Sequence, residues 1–291
     1  MGERIFDSEF LKKLDAMVIN VRMLMNEGAG GNRKSRSKGS SVEFSDFREY
    51  SLGDDFRRID WNAYGRFDRL FVKLFMEERE AMFNIFIDSS RSMYFGEPKK
   101  SLTALQLSGI VAYLALNNLD RVCINGLAGD LIKQSPSMNG RGMFQRCIDF
   151  FESMEFNGVT DISASIKKKE FKGGGVSVVF SDFFTPGSVE DAVKYLLYKK
   201  QEVVLVHVLS PEELNPYLEG QVRLKDSETG EARDIAVTPA LLKLYEKELN
   251  SFINNLKEFS TRMGVTYIQV SSDEPVEKIV FEQFTRTGIV Y

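Results

Sequence analysis

Histidine is nearly absent from this 291-residue chain: His207 is the only one, and it lies inside the apolar run Val203-Val204-Leu205-Val206-His207-Val208-Leu209. With strand-forming residues on both sides it reads as a core or edge histidine. Ser-His-Asp and Cys-His catalysis therefore lack a good base, and a histidine-rich zinc site is excluded. Cysteine is almost as scarce. Cys123 in a predicted strand and Cys147 in a predicted helix have neither CxxC spacing nor enough partners for a disulfide framework, so they read as two buried thiols. No GxxxxGK followed by Ser or Thr occurs, which removes a P-loop, and Gly173-Gly174-Gly175 precedes its strand where dinucleotide-binding glycines follow one. No apolar run approaches the roughly 20 residues that span a bilayer, and the charged start Met1-Gly2-Glu3-Arg4 leads into no signal-peptide core. The expectation is a cytoplasmic protein without membrane insertion. Charge of neither sign dominates either: 38 Lys+Arg against 42 Asp+Glu give a net charge of −4, and no general affinity for nucleic acid follows. The basic cluster Arg33 to Lys38 is short and reads as a solvated loop.

What is present has a clear periodicity. Phe10, Leu14, Met17, Val21 and Leu24 alternate steps of four and three, which predicts an amphipathic helix over 8–26, followed by a Gly/Ser-rich basic loop to Ser41. Residues 42 to 70 are dense in charges and aromatics, with a turn at Gly53-Asp54-Asp55; their charges are expected to pair within the fold, and Trp61 to anchor a core or an interface. Two strands, 70–76 and 81–87, are joined by Glu77-Glu78-Arg79-Glu80 and are expected to form an antiparallel pair. Beyond Asp88 helices and strands alternate: helix 101–118, strand 121–127, helices 142–154 and 162–171, strand 176–180, helix 189–198, strand 202–209, helix 239–263, strand 265–270 and helix 275–285. This alternation implies an α/β fold with a doubly wound, mostly parallel sheet flanked by helices. Two short alternating runs around Ser227-Glu228-Thr229-Gly230 predict a hairpin inserted at 221–237. The organisation is then an N-terminal helix with a small β-rich side subdomain over 1–80, and the α/β domain over 81–291.

The apolar run Met82 to Ile87 ends in Asp88-Ser89-Ser90-Arg91-Ser92. Ligands bind at the carboxyl ends of strands in such sheets, and a carboxylate with two hydroxyls is an all-oxygen donor set suited to a hard cation such as Mg²⁺. Asp182 ends the run Val176 to Phe180 and would lie on the same rim; Thr160, in a polar loop before a helix, offers a further hydroxyl. A DxSxS string is short, however, and Asp161-Ile162-Ser163-Ala164-Ser165 matches it too; there no apolar strand precedes, and helix capping by Asp161 is the better reading. Asp88 could also be a phosphoryl-accepting nucleophile of a metal-dependent hydrolase or phosphatase, but Ser90 stands where a second carboxylate would act as general acid.

Residues 44–61, FSDFREYSLGDDFRRIDW, with Glu77-Glu78-Arg79 and Asp88-Ser89-Ser90-Arg91-Ser92-Met93, resemble the signature of the bacterial family catalogued as domain of unknown function 58. That family is similar to von Willebrand factor type A domains, so the resemblance implies their doubly wound fold from about Phe44 to the C-terminus. It also implies a metal-ion-dependent adhesion site, in which Asp88, Ser90, Ser92, Thr160 and Asp182 hold Mg or Mn and a partner's acidic group completes the coordination. The function implied is that of a non-enzymatic interaction protein, and the partner a MoxR-type AAA+ ATPase. Two departures stand out: Arg91 replaces a small residue between the serines, and Phe183-Phe184 follows Asp182 where glycine is usual.

Overall fold

A computed structural model describes residues 42–51, 54–67, 69–77, 80–225 and 231–284. The helix expected over 8–26, the basic loop up to Ser41, Gly53 of the turn, Glu78, Arg79 and the hairpin tip 227–230 lie outside the described residues. The chain divides into two compact units with the boundary between Glu80 and Ala81.

In the smaller unit, β1 (Val42–Glu49) pairs antiparallel with β2 (Phe71–Glu77), and a 3-10 turn and α1 (Trp61–Phe67) lie between them. The aspartates here act as caps. Asp55 accepts from the Arg57 amide, and Asp60 accepts from the amides of Asn62 and Ala63 at 2.9 and 3.2 Å, which starts α1. The expected ion pairs are present as Arg48–Asp54 at 2.7 Å and Arg69–Glu49 at 3.0 Å. Trp61 is 64% exposed, so it anchors no core. The antiparallel pairing expected between 70–76 and 81–87 does not form: β2 pairs with β1, and 81–87 enters the large sheet. The reason is burial. Residues 83–88 are all buried, so this strand needs a neighbour on each edge and a helix on each face, which one antiparallel partner cannot supply.

The larger unit is built on a seven-stranded sheet in the order β11-β8-β7-β3-β4-β5, with β6 also on β4. Its parallel strands are β3 (Met82–Asp88), β4 (Arg121–Ala128), β7 (Gly175–Ser181), β8 (Gln201–Leu209) and β11 (Thr266–Ser271). Two short antiparallel strands that the alternation did not predict, β5 (Leu131–Gln134) and β6 (Met138–Asn139), close the β4 edge. The class expected, α/β with a doubly wound and mostly parallel sheet flanked by helices, is the one found. Strand β3 shows why it must be layered. Phe83, Ile85 and Ile87 point into the cluster that holds α2 (Lys100–Asn117) and α3 (Phe144–Glu152), whereas Phe86 enters the opposite cluster with α4 (Ile162–Lys167) and α5 (Val189–Tyr198).

After β8 come the short α6 (Pro211–Leu214), the hairpin β9 (Gly220–Lys225) with β10 (Ala232–Val237), and the long α7 (Pro239–Met263); α8 (Val276–Lys278) runs into a π turn over Ile279–Phe284. The hairpin expected over 221–237 is there, and its strands are largely exposed. Both cysteines are buried free thiols, and burial pushes that of Cys147 up to about 12, which leaves it inert. Among the described residues no helix is long and apolar enough to cross a membrane.

Candidate functional site at the strand switch point

The chain leaves β3 for β4 on one side and later returns to β7 on the other, so β3 and β7 flank the point where the winding reverses. Crevices for ligands open beyond the carboxyl ends of strands at such a point. Asp88 ends β3, and Asp182 directly follows β7. Both are buried, as are Ser90 and Thr160.

Three loops meet there. The Asp88 carboxylate accepts from the Ser90 amide at 2.9 Å and from the Ser181 hydroxyl at 2.6 Å. The hydroxyls of Ser90 and Ser92 lie 3.0 Å apart. The loop carrying Thr160 is stitched to them by backbone bonds from Asn157 N to Ser89 O and from Arg91 N to Gly158 O, both 2.9 Å. The Leu127 carbonyl accepts from the Ser89 amide, the Ser89 hydroxyl and, at 3.2 Å, the Thr160 hydroxyl. Thr160 thus has its proton occupied and its oxygen lone pairs left over. The second DxSxS match behaves as expected: Asp161 caps α4 by accepting from the Ala164 amide at 2.9 Å.

Asp182 is brought to the same rim but faces a different partner. Its Oδ2 accepts from Lys100 Nζ at 2.7 Å, and its Oδ1 accepts from the Phe184 amide at 3.0 Å. Lys100 Nζ also donates to Glu213 Oε1 at 2.5 Å, and the lysine is wholly buried. Neither Lys100 nor Glu213 was singled out in the sequence. The signal for Lys100 was a pair of lysines, Lys99-Lys100, at the start of a helix, where the positive end of the helix dipole disfavours cations and implies a carboxylate nearby. The helix, expected from residue 101, starts one residue earlier. For Glu213 the signal was Ser210-Pro211-Glu212-Glu213, a capping box in which Glu213 Oε2 accepts from the Ser210 amide at 2.8 Å. Burial raises the Glu213 carboxyl in spite of the ammonium beside it.

The donor chemistry can be weighed from these bonds. Asp88, Ser90, Ser92 and Thr160 are hard oxygen donors with lone pairs to spare, and the buried Asp88 carboxyl is pushed up to about 6, first by burial and then by repulsion from Asp182. A carboxylate this poorly compensated fits a cation. Asp182 fits less directly, because its charge is already met by the Lys100 ammonium on Oδ2, whereas Asp88 accepts from a neutral amide and a neutral hydroxyl. Arg91, one of the two departures, is exposed. At the other, Phe183 takes φ = 58°, the left-handed backbone that a glycine would adopt.

His207 is buried on β8 behind this rim, with Nδ1 2.7 Å from the Tyr267 hydroxyl, and burial lowers it to about 4. Asp182 pulls it upward and Lys100 downward by smaller amounts. The two buried groups give opposite pH dependences. Asp88 holds its proton more tightly in the folded protein, so its contribution is present below about 4 and is lost as the pH rises through 6. His207 is harder to protonate when folded, so its contribution is present above 6.5 and is lost as the pH falls towards 4. Between pH 7 and pH 4 in chelator, Asp88→Asn is expected to lose about 2–3 kcal/mol of unfolding free energy relative to wild type, and His207→Gln to gain a similar amount. Urea titrations at both pH values measure this, and parallel profiles for all three proteins would refute the assignment.

A family model described as protein of unknown function DUF58 matches residues 46–251. The chain is similar to the uncharacterized protein Rv1480 of Mycobacterium tuberculosis, 24% identical over 247 residues that cover 81% of this chain and 77% of that one. Among solved structures it is similar to the conserved hypothetical protein BatB from Bacteroides thetaiotaomicron, with 15% identity, a TM-score of 0.42, and coverage of 71% of this chain and 98% of that one. It is also similar to the SpRpn10 VWA domain, with 12% identity, a TM-score of 0.40, and coverage of 69% and 94%.

Proposed function

We propose, from the premise that this chain belongs to the DUF58 family of proteins of unknown function, that it is a non-enzymatic interaction module whose strand-end rim binds an acidic residue of a partner protein with the help of Mg²⁺ or Mn²⁺. The observation that carries this reading is the pairing of Ser90 and Ser92 hydroxyls, 3.0 Å apart, beside a buried carboxylate whose proton affinity is raised by burial and by the charge of Asp182. An ion held by Asp88, Ser90, Ser92 and Thr160 supplies an open coordination position for a partner carboxylate. The chain's own residues do the rest. Arg91, exposed in the turn after Ser90, offers a second point of contact to an acidic partner through charge-assisted bonding. Tyr94 and Phe95 are exposed beside it, and Lys99 Nζ lies 3.6 Å from the Tyr94 ring centroid, so this edge is aromatic and cationic together. On this reading the partner is a MoxR-type AAA+ ATPase, the class implied by the family resemblance.

Thermal unfolding with increasing Mg²⁺ tests the ion. At a hundredfold excess over the dissociation constant, a bound ion stabilises by about 2.7 kcal/mol, which for a unit of this size raises the melting temperature by roughly 5–10 °C. Asp88→Ala should show no such rise, and equal curves for the two proteins would sink the site. Retention of a purified MoxR-type ATPase on the immobilised protein should be lost in EDTA and in Asp88→Ala; retention indifferent to both would overturn the metal-dependent contact.

A further inference from the structure

We infer that Lys100 is a built-in counter-cation that withholds Asp182 from the ion, so that the rim takes a divalent cation through Asp88, Ser90, Ser92 and Thr160 alone and binds it weakly. The inference rests on the ion-binding reading above and concerns which carboxylate serves it. Three features carry it. Lys100 is wholly buried, and its ammonium is shared between two carboxylates from different parts of the chain, Asp182 after β7 and Glu213 on α6. Asp182 already carries a cation, with the ammonium on Oδ2 and the Phe184 amide on Oδ1, whereas the two oxygens of Asp88 accept from the neutral Ser90 amide and Ser181 hydroxyl. The lysine cannot easily swing away, because it is the first residue of α2 and its side chain is fully buried.

The consequence is electrostatic. The rim holds three carboxylates, Asp88, Asp182 and Glu213, and one ammonium, so its formal charge remains −2 and still favours a divalent ion, while the ammonium repels that ion and cancels the nearer negative charge. Asp182 is kept as an internal ion-pair partner, and the loop after β7 is held in place with or without metal. A site of this design is preassembled, and ion binding need not order it.

The test is Mn²⁺ binding followed by electron paramagnetic resonance of the free ion and by calorimetry. It compares wild type, Lys100→Met/Glu213→Gln, Lys100→Met/Asp182→Asn and Asp88→Ala. Each double variant removes one positive and one negative charge, so the formal charge of the rim is unchanged. Lys100→Met/Glu213→Gln frees Asp182 and should bind Mn²⁺ at least tenfold more tightly than wild type. Lys100→Met/Asp182→Asn should bind within about threefold of wild type, because Asp182 was not serving the ion. A tenfold loss in the latter, or no gain in the former, overturns the inference while leaving the ion-binding reading intact. Should Lys100→Met/Glu213→Gln not fold with or without Mn²⁺, the Lys100→Met/Asp182→Asn result decides alone. Absence of Asp88-dependent binding in every protein overturns both.

Discussion

Lys100→Met is expected to cost about 3–5 kcal/mol of folding free energy, a large part of the 5–15 kcal/mol that a domain commonly has. The cost comes from what the substitution leaves behind. Asp182 loses the 2.7 Å bond to its ammonium in a fully buried place, keeping only the Phe184 amide, and Glu213, whose carboxyl is already raised by burial, loses its 2.5 Å partner. Formation of the ion pair itself is worth far less than this figure, since both charges lost their hydration to make it. Lys100→Met/Asp182→Asn removes the pair together and should recover most of the loss. Urea denaturation at pH 7 measures both, and a cost below about 1 kcal/mol for Lys100→Met would mean that the network is solvated and contributes as a surface pair does.

Much of the fold was legible because β-strands buried on both faces and amphipathic helices leave different periodicities. The run 82–87 announced a central strand, and the helix expected over 239–263 has those bounds in the structure, where Thr238 caps it and Gly264 ends it with φ = 67°. What escaped was what depends on partners. Strand β2 was assigned to β3 because charged residues join them, but pairing is decided by which edge each strand leaves open, and nothing local in 70–76 says that 42–49 will occupy it. Strands β5 and β6 are too short to carry a period. In the site, Asp88, Ser90 and Ser92 are close in sequence and Asp182 follows a readable strand, so their meeting follows from the winding of the sheet. Lys100 stands 82 residues before Asp182 and Glu213 a further 31 after it, and their pairing is a property of the folded interior alone. The unfavourable lysine at a helix start was its only trace.

At the residue after Asp182 the usual ranking of small residues at a buried site is expected to reverse. Phe183 has φ = 58° and is only 2% exposed; its ring meets that of His207 edge to face at 5.4 Å and packs with Phe86, Val179 and Leu205. Its amide donates to the Ser181 hydroxyl at 2.8 Å, and Ser181 in turn holds Asp88. Loss of the ring should cost about 3–5 kcal/mol whichever small residue replaces it. The left-handed backbone then separates the two simplest replacements. Alanine keeps the roughly 1–2 kcal/mol penalty of that conformation with no ring to offset it, while glycine adopts it freely and gives back only part of the gain as chain entropy. Phe183→Gly should therefore be more stable than Phe183→Ala by about 1 kcal/mol, the opposite of the order found at a buried position with ordinary backbone. Denaturant midpoints of the three proteins decide it. If alanine proves the better substitute, the turn relaxes out of the left-handed region once the ring is gone, and it is the aromatic packing, and no backbone requirement, that holds Asp182 at the rim.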